Sequence, residues 1–180
     1  MFIAGLGNPG EEYKGTRHNV GVAMLATFAD HVTEKVKKKI IWLWPTTFMN
    51  KSGEAVAKVV KNKKAAVNLV VIHDDLDLPL GKFKISFGRG SGGHRGVESI
   101  IKKLKTKDFI RLRVGIAATA PSGKLKKPVG EKAVIDFILG KFKPPEELKL
   151  KKLMPKLVEA LEALSTDGLH GLQSAMNRFN

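Results

Sequence analysis

The chain has 180 residues, 43% of them hydrophobic, which suits one compact domain with a sizeable core and is too apolar for a disordered tail. It has no cysteine, which excludes disulfides, thiolate metal sites and cysteine nucleophiles, and no apolar run approaching the ~20 residues that span a bilayer. The formal net charge of +15 points to a polyanionic partner such as nucleic acid, although a lysine-rich solvated surface gives the same number.

In chain order, Met1 to Ala4 reads as a short buried strand running into a glycine turn. From Gly21 to about Lys37, Val22, Leu25, Phe28, Ala29, Val32 and Val36 recur at helical spacing. Ile40 to Trp44 is a β-branched and aromatic run stopped by Pro45, and Ser52 to Lys61 reads as a second helix. Asn68 to Ile72 is continuously apolar, as in a strand covered on both faces. Lys82 to Phe87 alternates, and a glycine-dense loop follows from Gly88 to Gly96. Helix, strand and helix are expected at about 97–104, 110–118 and 131–139, then two helices at about 145–164 and 169–178. The segment 120–130, rich in proline, glycine and lysine, is the expected mobile piece. Strands interleaved with helices make residues 1–180 a single α/β domain, with a mostly parallel mixed sheet and helices on both faces.

Ligands of such sheets bind beyond the carboxyl ends of the strands, and the unusual polar residues gather there. Gly5-Leu-Gly-Asn-Pro-Gly10 formally matches a dinucleotide fingerprint, but the segment after it is polar and broken by Gly15, and no acid ends the next strand. A turn presenting the Asn8 amide is the better reading. Thr16-Arg-His-Asn19 places His18 at a helix entrance, with Asn19 as an N-cap candidate. Pro45-Thr-Thr-Phe-Met-Asn50 places an amide after a strand. His73-Asp-Asp-Leu-Asp77 places acids after the central strand, where one can accept a hydrogen bond from an imidazole and leave its other nitrogen as a base. The same run suits a hard cation in principle, but alternation scatters its carboxylates, so no metal and no cofactor are expected. The Gly88–Gly96 loop offers backbone N–H groups to phosphate or ester oxygens, yet lacks the Gly-Lys-Ser/Thr ending of a Walker loop, and Ser91 lacks a nucleophile elbow. Arg111 and Arg113 alternate onto one strand face, as a phosphate grip or as a solvated edge.

Taken together, GLGNPG with TRHN, PTTFMN, HDDLDLPLG, SGGHRG, RLRVGI, ILGKF and the terminal AMNRFN resemble the bacterial peptidyl-tRNA hydrolase family in order and spacing. The resemblance implies a cofactor-free esterase that cuts the bond between a peptide and the 3′ end of tRNA. It makes His18 the general base, Asp74 the acid that orients it, and Asn8 and Asn50 the amides that hold the substrate's 3′ end and the water, with Met49 beside them. His94 falls in the motif that lines the peptide-side cleft, and Arg113 on the residue that grips the tRNA 5′ phosphate. Tyr13 and Arg95 are grouped with them on the substrate side. Three departures stand out. Arg95 occupies a position where the family usually has Asn. Ser86 stands where a second clamp cation is expected, so Lys84 or Arg89 substitutes. The stretch between Asn19 and Pro45 is short, as if a hairpin were trimmed from a sheet edge. A cytosolic monomer is expected. The rival readings are a non-catalytic RNA-binding protein on the same fold and a nucleotide-dependent oxidoreductase.

Overall fold

The computed structural model describes residues 1–167 and 169–180. The chain opens with β1 (Phe2–Gly5), then α1 (Val20–His31), α2 (Glu34–Lys37) and β2 (Ile41–Leu43). Next come α3 (Ser52–Ala57), α4 (Lys63–Ala66), β3 (Leu69–Pro79) and β4 (Phe83–Phe87). The second half holds α5 (Arg95–Leu104), β5 (Ile110–Thr119), β6 (Leu125–Lys126), α6 (Glu131–Leu139), α7 (Pro144–Asp167) and α8 (Leu172–Phe179). Strands β2, β1, β3 and β5 lie parallel in that order, β4 runs antiparallel on the far side of β5, and β6 pairs the end of β5. The expected single α/β domain with a mostly parallel mixed sheet is what forms. No helix among the described residues is long and apolar enough to cross a membrane.

The apolar run in β3 is continuous because both faces are covered. Val70 and Ile72 join Ile3, Leu112 and Val114 against Leu25 and Phe28 of α1 and Leu157 and Leu161 of α7. Leu69 and Val71 face the other way, against Val56 of α3 and Val97 and Ile100 of α5. Each such side chain contributes about 1.5–3 kcal/mol by leaving water. α1 lies unusually close to the sheet. A Cβ on Gly5 would sit 2.6 Å from the Gly21 carbonyl oxygen, and one on Gly21 would collide with the carbonyl oxygens of Leu6 and Ile72. The first glycine of the GLGNPG motif therefore serves helix packing. The turn after it is a 3-10 turn at Glu11–Tyr13, not a helix opening on a cofactor.

Several boundaries differ from the sequence expectation. The helix expected to reach Lys37 breaks at Val32, which turns extended (φ −72°, ψ 145°) while staying buried, and α2 resumes beyond it. The apolar spacing survives the break because both pieces face the same core. The second helix stops at Ala57, and the four-residue α4, capped by Asn62, follows. β3 does not end at Ile72. It continues through the acids to Pro79 because β5 runs alongside it, pairing His73 with Arg113 and Asp75 with Gly115. The segment 120–130 is tied down by β6 and by a Lys127–Asp77 ion pair. Between α1 and β2 there is only α2, so β2 forms the sheet edge that the short sequence implied.

Candidate active site

His18 sits in a 3-10 turn, Arg17–Asn19, that leads into α1. Its neighbours fix it from both sides. The Arg17 guanidinium is largely buried, donates to the carbonyls of Gly140 and Lys141 at 3.1 Å, and forks onto the Glu146 carboxylate at 2.9 and 3.1 Å. Asn19 does not cap α1 with its side chain, as the sequence suggested. Its amide instead pairs with the backbone of Asn8, accepting from the Asn8 N–H at 2.8 Å and donating to the Asn8 carbonyl at 2.9 Å. Asn8 in turn accepts the Met49 N–H on Oδ1 at 2.8 Å. That bond fixes which way the amide faces and leaves the Nδ2 hydrogens as what Asn8 can offer a ligand.

Asp74, buried at the polar end of β3, accepts two hydrogen bonds on one oxygen: from His18 Nδ1 and from His94 Nε2, each at 2.9 Å. The two rings are not equivalent. His94 caps α5, its Nδ1 accepting the backbone N–H groups of Gly96 and Val97 at 3.2 and 3.3 Å. An accepting Nδ1 carries no proton, so the His94 proton is on Nε2 and both nitrogens are engaged. Among the described residues His18 bonds only through Nδ1, and its Nε2 has no partner. Of the two histidines on Asp74, only His18 has a nitrogen left for chemistry. Burial alone pushes the Asp74 carboxyl up, but the field of His94 and the hydrogen bonds from both rings outweigh it and hold the group well below the usual carboxylate range. His73, edge-on to the His94 ring with centroids 4.7 Å apart, is driven down by burial and by His94, so it stays neutral.

These groups open on a cleft of about 720 Å³. Asn8, His18, Met49, Asn50, His94 and Arg95 line it together, and Val134, Ile135, Ile138 and Leu139 of α6 make an apolar wall. Asn50 is exposed at the mouth. Tyr13 stays outside the lining and meets the rim edge-on through Phe48, ring centroids 6.3 Å apart. Ligand atoms of His18, Asp74 and His94 lie within 4.8 Å of one another. A metal ion held by those atoms would have to displace the protons that now make the hydrogen bonds. The carboxylates of the HDDLD run are scattered, Asp75 to Arg113 and Asp77 to Lys127.

Residues 2–180 match the peptidyl-tRNA hydrolase family. The chain belongs to that family. A peptidyl-tRNA hydrolase of Dehalococcoides mccartyi is 40% identical, with 99% of this chain and 98% of the relative covered. One of Syntrophotalea carbinolica is 37% identical over 99% of this chain and 96% of the relative. The crystal structure of a peptidyl-tRNA hydrolase complexed with N-propanol superposes with a TM-score of 0.82 at 29% identity, covering 99% of this chain and 93% of that one. These alignments run over 195 and 196 positions against 180 residues, so the relatives carry insertions that this member of the family lacks.

Compared with the expected clamp, the basic strand face of this peptidyl-tRNA hydrolase family member is less free. Arg113 Nε bonds Asp75 Oδ2 at 2.6 Å. Arg111 is not a solvated edge residue but buried, with Nη1 on the Gly90 carbonyl at 2.6 Å, so it tethers the glycine loop. Register places Lys84 directly across from Arg113, and Ser86, which is buried, across from Arg111. Lys84 and Arg89 are exposed. None of these four cations lines the cleft. Sequence reasoning missed Arg17, Asn19 as a staple, and Glu131, which meets Arg95 at 2.6 Å. The adjacency of Arg17 and Asn19 to His18 was the available signal for the first two. Nothing local marked the third.

Proposed function

We propose that the chain hydrolyses the ester joining a peptide to the 3′ ribose of tRNA, releasing the tRNA for reuse in translation. The observation that carries this reading is the unbonded Nε2 of His18, on a ring that lines the cleft and whose Nδ1 is held by a buried, ionised Asp74. His18 Nε2 takes a proton from water as the water oxygen adds to the ester carbonyl. The tetrahedral oxyanion accepts N–H donors from Asn8 and Asn50, each good donor contributing roughly 3–4 kcal/mol. Collapse breaks the bond to the ribose 3′ oxygen, which recovers the proton from the His18 imidazolium and leaves a free peptide acid. Asp74 stabilises that imidazolium and fixes the tautomer. His94 holds Asp74 in place. Met49 and Tyr13 shape the side that takes the 3′ end, and Arg95 the peptide side.

Arg113, with Lys84 opposite and Arg89 nearby, grips a tRNA phosphate after exchanging Asp75 for it. One chain supplies every residue of the cleft, so a monomer suffices, and its place is the cytoplasm, where tRNA is used. A binding-only protein has no use for a tautomer-locked base in a cleft. The test is turnover of N-acetyl-aminoacyl-tRNA against unblocked aminoacyl-tRNA. Strong preference for the blocked ester is expected. No turnover, or equal turnover of both, would overturn the reading.

A further inference from the structure

The α6 wall of the cleft is held unevenly. None of its side chains is fully buried. Its C-terminal end is fixed by Arg17, which bonds the Gly140 carbonyl and stacks on the Phe137 ring at 4.5 Å. Its N-terminal end is held through Glu131, whose Oε1 meets Arg95 Nη2 at 2.6 Å. Arg95 directly follows His94, so its backbone is fixed to the catalytic network. Glu131 opens the α6 wall. The ion pair thus joins the starts of α5 and α6 at the cleft, and both partners line it while their side chains stay 61% and 77% exposed.

We propose that Arg95 and Glu131 form a charge-exchange gate that reads the charge of the peptide. An acidic peptide side chain replaces Glu131 on Arg95, and a basic one replaces Arg95 on Glu131. The inference rests on this cleft holding the peptide side of the substrate. A chain passing between the two walls meets the bridge, and an ion pair this exposed is worth at most about fivefold in an equilibrium, so a substrate charge can displace either partner. The other cleft carboxylates are not available for exchange on the same terms. Asp74 is held by two histidines, Asp75 by Arg113 and Asp77 by Lys127. Lys51 adds a positive charge to the lining in every variant and cancels in a ratio.

The experiment measures kcat/KM for N-acetyl dipeptides esterified to one tRNA, with Glu, Leu or Lys at either of the two residues nearest the ester. It uses the full chain, Glu131→Gln and Arg95→Gln. Glu131→Gln should raise the Glu/Leu ratio about two- to fivefold and lower the Lys/Leu ratio by a similar factor. Arg95→Gln should do the reverse. Ratios that stay fixed in both variants, or that move the same way in both, would overturn the gate and leave the bridge a simple latch. Failure of the unaltered chain to cleave the Leu substrate would instead overturn the functional reading on which the gate depends.

Discussion

Asp74 and Arg111 are buried charges on neighbouring parallel strands, and the fold treats them in opposite ways. Asp74 receives two imidazole N–H groups and is held ionised. Among the described residues Arg111 has one acceptor, the Gly90 carbonyl, and no carboxylate, while its Nε and the hydroxyl of Ser86 across the ladder are buried without partners. Burial and the nearby Arg113 both pull its basicity down. The difference separates two jobs. Around Asp74 two imidazole N–H groups are already in place on the carboxylate, so little reorganisation is needed to balance a charge on either ring. Around Arg111 an under-satisfied cation holds a loop, while the neighbouring Arg113 has a carboxylate partner in Asp75.

The largest effect should come from the Asp74 side. His18→Ala is expected to lower kcat by about 10²–10⁴-fold while leaving tRNA affinity within a few fold, checked by single-turnover hydrolysis and filter binding. Full activity would remove the histidine-base mechanism. Asp74→Asn should cost less, on the order of tenfold to a hundredfold. The amide can still take a ring N–H but no longer offsets the imidazolium charge. A loss equal to that of His18→Ala would make Asp74 itself the base. On the cationic side, Arg113→Ala should raise KM for full-length substrate by about tenfold and barely change a short 3′-end fragment. Asp75→Asn should move the same KM the other way, because it releases Arg113 from its resting partner. Equal losses on both substrates would place Arg113 at the reaction centre or in the fold.

The smallest effect is on stability and concerns His73. Its basicity is lowered in the folded state below the ordinary 6.5. The unfolded chain therefore binds a proton first as pH falls, and the contribution of a neutral His73, complete above about 6.5, is lost below it. Urea midpoints should drop between pH 7 and 5, and His73→Gln should flatten that slope. The contribution of Asp74 is lost only at lower pH, below its ordinary 3.8, so an unchanged slope in the variant would mean that another group carries the dependence.

Much of this was legible in the sequence where the signal is local. Glycines at 130 and 140 bracket α6, and both of its ends fall where expected. The order of the polar motifs placed Asn8, His18, Met49, Asn50, Asp74 and His94 at one end of the sheet, and the structure brings them together. What was not legible depends on partners far along the chain. β3 continues over polar residues only because β5 and His18 give those residues partners. Arg111 reads as an exposed strand residue until the glycine loop closes over it. Asn19 looks like a cap until the Asn8 backbone lies beside it. Glu131 is an ordinary helix-opening acid until α5 delivers Arg95 across the cleft.

The contact between α1 and the sheet ties the placement of His18 against Asp74 to backbone clearance. Gly21 lies three positions after His18 and rests against the Ile72 carbonyl, which lies two positions before Asp74. The spacing between His18 and Asp74 is thus set by how near two stretches of main chain can come. An added methyl at Gly21 has nowhere to go except outward, carrying the first turn of α1 away from β3 and stretching the 2.9 Å bond between the His18 and Asp74 side chains. The His18–Asp74 pairing is a mechanical tolerance, and a hydrogen atom in place of a side chain is the part made to that tolerance.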